Sequence, residues 1–243
     1  MLHGRQRDRF DLEFRLPADC ADQLASGAAD IGIVPSFELT RQRLEIIPGA
    51  GIACHGAVRS ILLISSRPAA EIRTLALDSS SRTSVELVRL ILERRYGVAP
   101  QTVSHAPDLD RMLRIADAAL IIGDPALRID PASVPWHVYD LGAEWVEMTG
   151  LPMVFAVWAG RKGTVTPELA AAFQESCRYG LDHLEEIVAA ESAARGFAPD
   201  LVREYLTRHI VHELGPRDYQ GMELFLEYAS RGAAAGMKFV TPV

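Results

Sequence analysis

The chain has 243 residues, 49% of them hydrophobic, and a formal net charge of -7. That is enough apolar material for one large core or two modest ones, and it excludes a disordered polymer. The acidic balance and the absence of any Lys/Arg-rich block argue against nucleic acid or an anionic membrane as the main partner, which leaves a small molecule as the expected ligand. Cys20, Cys54 and Cys177 are widely spaced with no CxxC, so neither a disulfide framework nor a zinc pattern is expected. MLHGRQRDRF lacks the apolar region of a signal peptide, and no apolar run reaches the roughly 18 residues of a spanning helix. The expectation is a soluble cytoplasmic protein.

Phe10 to Leu16, FDLEFRL, alternates as a half-buried strand does, and ADCADQLASGAAD continues as a short amphipathic helix closed by Gly27. Ile31 to Val34 reads as a buried strand, followed by Pro35, Ser36, Phe37 and Glu38. Polar groups at such a strand end stand where open α/β sheets bind ligands. Gly51 to Cys54 and Ser60 to Ser65 form two further strands around the turn at His55-Gly56. Leu75 to Leu92, LALDSSSRTSVELVRLIL, is a strand, a serine-rich loop and a helix N-terminus. Ser79, Ser80, Ser81, Thr83 and Ser84 bring hydroxyls to the N–H groups that lack intrahelical partners, an arrangement that caps the helix or cradles an anion.

Another strand and helix are expected within 101–117, and Ala118 to Ile122 is a buried strand ending in Gly123-Asp124. Asp124 is a base, a hydroxyl acceptor or the cap of a short helix beginning at Pro125. Glu38 poses the same choice. Arg59 and Arg82 are possible counter-charges for an anionic ligand. Met153 to Gly160 is an apolar strand, and from Pro167 onward three helical patterns follow, the second of them PDLVREYLTRHIVHEL. His209 and His212 at i, i+3, with Glu213, could share a helix face, but a third metal ligand is not in evidence. His55 and His105 fall in loops and read as solvated. Trp158 reads as core, and Trp145 is open. No GxGxxG, P-loop, GxSxG or HExxH motif occurs. Strands alternating with helices and then a helical tail indicate an α/β protein.

Taken in order, VPSFEL (34–39), GAVRSILLIS (56–65), ALDSSSRTSVELVRLIL (76–92), ALIIGDPAL (119–127) and DLGAEWVEMTGLPMVFAVWAGRKG (140–163) resemble the MqnA branch of the MqnA/MqnD menaquinone-biosynthesis family. The resemblance implies a two-lobed fold like the type II periplasmic binding proteins, with a helical C-terminal third. It implies a cytoplasmic chorismate dehydratase of the futalosine route, without metal or redox cofactor, working as a monomer or homodimer. In that reaction chorismate loses the ring proton beside the enolpyruvyl ether and the neighbouring hydroxyl, giving 3-[(1-carboxyvinyl)oxy]benzoate. Oriented donors for its two carboxylates would come from Ser36, Ser60, Ser80, Ser81, Arg82, Thr83 and Gly123. Asp124 and Glu38 are the protein groups that could take the proton, a substrate carboxylate being the third route.

Members of that family open with a further strand bearing a serine-tyrosine-leucine-asparagine type motif, and MLHGRQRDRF resembles the segment after it, so one strand and one polar ligand group of the first lobe are expected to be missing. The lobes are expected to divide near 66–70 and to rejoin near 155–160. Residues 1–68 and 158–243 would then form lobe one, and 69–157 lobe two. A solute-binding protein of the same fold and a 1,4-dihydroxy-6-naphthoate synthase of the same family are the rival functions.

Overall fold

The computed structural model describes residues 1, 3–78 and 80–232; Ser79 and residues 233–243, which the sequence reading assigns to the serine loop and to lobe one, lie outside the described residues. After a 3-10 turn at Gly4–Gln6 comes α1 (Pro17–Ser26), opened by a proline and closed by Gly27 at φ 78°. Proline lacks an N–H that a first helical turn does not use, and glycine takes the left-handed closing conformation without a Cβ clash. β1 (Ile31–Pro35), a 3-10 turn at Ser36–Thr40, β2 (Leu44–Cys54), β3 (Ile61–Ser65) and β4 (Thr74–Leu77) follow. Next are α2 (Arg82–Tyr96), β5 (Gln101–Ser104), α3 (Leu109–Ile115), β6 (Ala118–Ile122), α4 (Gly123–Leu127), β7 (His137–Asp140), α5 (Leu141–Thr149) and β8 (Met153–Arg161). The last third holds α6 (Pro167–Asp182), α7 (Leu184–Arg195), α8 (Pro199–Glu204), a π turn at Tyr205–His209 and α9 (Pro216–Gly232).

The strands form an antiparallel sheet of order β1-β8-β2 and a mixed sheet of order β5-β4-β6-β3-β7. In the mixed sheet β4 runs parallel to β5 and β6, while β3 runs antiparallel to β6 and β7. The chain leaves the first sheet after Cys54 and enters the second at Ile61, earlier than the expected 66–70, because all of β3 pairs with β6 and is buried. It returns before Met153, so the expected boundary near 158 would cut β8, whose whole length pairs with β1 and β2.

Two further expectations give way. Residues 11–16 are not a strand, and Phe14 and Leu16 are 77% and 59% exposed. Alternation supplies a face but no hydrogen-bond partner, and no described strand lies beside this segment. The pattern 199–214 does not continue as one helix. After the π turn, Val211 bridges Ala53, with Ala53 N–H donating to Val211 O at 2.9 Å and Val211 N–H to Ala53 O at 2.8 Å. The edge of β2 thus captures this stretch, and His209, His212 and Glu213 share no helix face. His209 Nδ1 meets Ala57 O at 2.8 Å, His212 Nε2 meets Leu206 O at 3.2 Å, and Glu213 pairs with Arg178.

One continuous core runs through both sheets' layers. Trp145 is fully buried at its centre, edge-on to Phe225 and Tyr228 at centroid distances of 6.0 and 6.1 Å, and its Nε1–H donates to Pro152 O at 3.0 Å. Trp158 packs on Phe173 at 4.9 Å in a smaller outer cluster.

Gly221 of α9 lies directly against Pro152, and an added Cβ would land on the carbonyl oxygen that also holds Trp145. Gly221→Ala should therefore lower stability by about 1–3 kcal/mol in thermal melts. Gly180→Ala, whose Cβ would meet only Ile187 Cδ1 at 3.9 Å, should be neutral or stabilising. Burial lowers the pKa of His212 below 6.5, against a smaller opposing effect of its bond to Leu206 O. The unfolded chain then binds this proton first, so stability present above 6.5 is lost as pH falls below it. The melting temperature of His212→Gln should drop less than that of the wild type between about pH 7 and about pH 5.

Candidate functional site

The strand directions bring one row of polar residues to a single edge of the mixed sheet. The C-terminal ends of β5, β4, β6 and β7 and the N-terminal end of β3 share this edge. In strand order they carry His105, then Asp78 and Ser80, then Gly123 and Asp124, then Ser60, then Asp140. The first lobe faces this row through the start of α1, the turn at Ser36–Thr40, Arg195 and Tyr205.

In the serine loop, Ser81 caps α2: its Oγ accepts from Ser84 N–H at 3.4 Å and from Ser84 Oγ at 3.0 Å. Ser80 N–H donates to Asp78 Oδ1 at 3.0 Å. Thr83 is fully buried, and its Oγ1 accepts from Phe37 N–H at 3.1 Å. Arg82 reaches across to the first lobe, donating to Glu38 Oε1 at 2.9 Å and to both oxygens of Asp22 at 3.0 Å. The bond to Glu38 raises the Arg82 pKa further. Glu38 is 1% exposed and also accepts from Gln42 Nε2 at 3.0 Å and Arg41 Nη1 at 3.4 Å. Ser36, equally buried, donates to Val154 O at 2.8 Å. Glu38, Arg82 and Thr83 therefore come together as a tie between the lobes, while Ser36 bonds within the first lobe.

Beside this tie lies a cavity of about 510 Å³. Leu16, Ala18 and Asp19 form its wall on the first lobe; Asp78, Ser80, Ser104 and His105 form the other. Along the same edge, Tyr205 Oη donates to Ser60 Oγ at 3.0 Å, and Ser60 O accepts from Gly123 N–H at 2.8 Å. Burial raises the Tyr205 pKa, so its phenol remains a donor at neutral pH. Asp124 does not cap a helix, since Ile122 holds that position in α4; its Oδ2 takes Arg195 Nη1 at 2.9 Å. Both partners are about half exposed, so the pair contributes at most about 1 kcal/mol and yields readily to a ligand. Arg59 is not a free counter-charge: its guanidinium donates to the carbonyls of Ala126, Leu127 and Ile129 at the end of α4. No group of three His, Cys, Asp or Glu side chains is placed to hold a metal among the described residues.

Asp78, Arg195 and Tyr205 escaped the sequence reading, and His105, read there as a solvated loop residue, lines the cavity. Asp78 and His105 obey the strand-end rule that selects Asp124, a signal that was present once β4 and β5 were bounded. Arg195 and Tyr205 come from helices whose spacing reports only packing.

A family model for menaquinone biosynthesis matches residues 1–231. The chain is 30% identical over 243 aligned positions to the chorismate dehydratase of Thermus thermophilus, covering 93% of this chain and 89% of that protein. Among solved structures, protein AF1704 from Archaeoglobus fulgidus superposes with a TM-score of 0.67 at 16% identity, over 90% of this chain and 85% of that one. The periplasmic aliphatic sulphonate binding protein SsuA from Escherichia coli superposes with a TM-score of 0.62 at 15% identity, over 96% of this chain and 86% of that one. The likeness to SsuA shows a fold like that of the periplasmic binding proteins. A sequence match across nearly the whole described chain, on that fold and with the serine loop lying at the cleft between the sheets, makes this chain a member of the menaquinone-biosynthesis family.

Proposed function

We propose that the chain is a cytoplasmic chorismate dehydratase, releasing water from chorismate to give 3-[(1-carboxyvinyl)oxy]benzoate. The 30% identity to a chorismate dehydratase along nearly all of both chains carries this reading. The chemistry needs donors for two carboxylates, a base for one ring proton and a route for the hydroxyl to leave, with aromatisation as the driving force. Ser80, Ser81 and the first N–H groups of α2 are the proposed holders of one carboxylate, with the positive charge of Arg82 kept beside them by Glu38 and Asp22. Ser60, with Tyr205 beside it and Gly123 below it, is the proposed donor for the other. Thr83 acts through the tie that positions these groups, and Ser36 by holding its turn against β8.

Asp124 is the proposed base: it is partly exposed at the strand end, and its ionic partner among the described residues, the half-exposed Arg195, is one that a ligand can displace. Glu38 is better suited to holding Arg82 in place than to proton transfer, because it is buried and engaged by three donors.

Incubation of the purified protein with chorismate should give a product lighter by one water with benzoate-like absorbance. Unchanged chorismate overturns the reading, and chorismate that binds without changing makes the chain a solute-binding protein. Asp124→Asn should lower kcat by about 10²- to 10⁴-fold. Glu38→Gln should chiefly lower the melting temperature, through a loss of about 1–3 kcal/mol. Near-normal turnover in both variants would transfer the role of base to a substrate carboxylate.

A further inference from the structure

Resting on the dehydratase reading, we propose that Tyr205 is the positioning residue that makes Ser60 a donor selective for a ligand carboxylate. Tyr205 opens the π turn that interrupts the helix after Glu204, and the far end of that turn is fixed twice. Ile210 N–H donates to Tyr205 O at 3.1 Å, and Val211 is bridged to Ala53 of β2. A π turn gives up regular helical geometry and recurs where a side chain must be aimed. Here the aim is at the sheet edge: Oη donates to Ser60 Oγ at 3.0 Å, across 145 positions of sequence. Ser60, directly before β3, is 5% exposed, and its carbonyl is taken by Gly123 N–H at 2.8 Å.

The direction of the Tyr205–Ser60 bond decides what the serine can do. A phenol is a stronger acid than an aliphatic alcohol, so Tyr205 donates and Ser60 accepts. Burial raises the pKa of Tyr205 against the opposing effect of the Ser60 bond, and the charge of Asp124 adds to the rise, so the phenol keeps the proton it donates. The proton of the Ser60 hydroxyl is then left without an acceptor among the described residues. A buried donor left unmet costs free energy, which a carboxylate oxygen recovers through a charge-assisted bond. The bond received from Tyr205 strengthens the one that Ser60 gives, because successive hydrogen bonds polarise one another. A ligand group that can only donate would set its proton against that of Ser60 and is disfavoured.

The test is a double-mutant cycle over wild type, Y205F, S60A and S60A/Y205F, with chorismate affinity measured by calorimetry beside turnover. Y205F should weaken chorismate binding about 10-fold, and S60A at least as much. The double variant should bind no more weakly than S60A, because Tyr205 acts through the serine. In Y205F the loss should fall on KM, with kcat changed less than about threefold. Wild-type affinity in Y205F, or additive losses in the double variant, overturns the assignment while leaving the dehydratase reading in place. A wild type that binds chorismate without turning it over ends the dehydratase reading, and the cycle in affinity still decides the role of Tyr205. A wild type that does neither overturns both. If S60A does not fold, 3-[(1-carboxyvinyl)oxy]benzoate and its two mono-amides decide as inhibitors. The wild type should prefer the diacid to one of the amides by about 10-fold, and Y205F should shrink that preference. An unchanged preference in Y205F overturns the assignment.

Discussion

The cleft edge depends on one carboxylate. Asp140 accepts the backbone N–H groups of Val58, Arg59, Gly142 and Ala143 at 2.9, 2.6, 3.0 and 3.1 Å. It thereby fastens the connection leaving the first sheet to the first turn of the helix that leads back to it. An anion at a helix N-terminus, met by four oriented donors, is among the stronger polar arrangements available to a protein. It holds Arg59 at φ 66°, a left-handed conformation that costs an ordinary residue about 1–2 kcal/mol. The space around this junction is filled. A Cβ on Gly142 would lie 2.6 Å from both Cys54 Sγ and Gly56 O, and burial pushes the Cys54 thiol up to about 12, keeping it neutral. With both connections fixed, Ser60 enters β3 at a set height beside Gly123 and Asp124.

Among the described residues Arg82 and Arg195 carry the ionic contacts between the lobes, and burial decides how they differ. Glu38 is almost entirely buried, so removing Arg82 would leave its charge to the longer Arg41 contact and to Gln42, with little water to make up the loss. Arg195 and Asp124 are half exposed, and water replaces either partner at little cost. The cleft is therefore held firmly at the serine loop and loosely at Asp124. A ligand that competes for a counter-charge displaces Arg195 well before it displaces Arg82. The cavity adjoins the firm tie, so a ligand entering it meets a wall that is already ordered and is spared the entropy of ordering it.

Much of this was legible in the sequence because it is local. The serine loop announces both a strand end and a capped helix, and Ser81 does cap α2. The run Ala118 to Ile122 gives β6 directly, since a buried strand between two neighbours needs no alternation. What failed was pairing at a distance. FDLEFRL has the period of a strand but no neighbour, and PDLVREYLTRHIVHEL has the period of a helix but meets an open edge of β2 that outbids its last turns. The lobe boundary was misplaced for the same reason, as nothing within ILLIS says which sheet it joins. Residue type singles out Glu38, Arg82 and Asp124 as candidates, while whether each is free or already paired is set by partners 44 to 71 positions away.

The same fold in a solute-binding protein needs only donors for its ligand, and helix N-termini with hydroxyls provide them. This cleft edge carries more than that. Asp19, Asp78 and Asp124 stand along it or line its cavity, and carboxylates near a dianionic ligand lower its affinity by like-charge repulsion. Asp78 is partly accounted for by the N–H of Ser80, and Asp124 by Arg195. The Arg195 contact, however, is the one a ligand would disrupt, which leaves a carboxylate facing the ligand at the moment of binding. A site selected for affinity alone gains nothing from that exposure. The proton removal proposed for this chain does, because it needs a carboxylate that the substrate can reach.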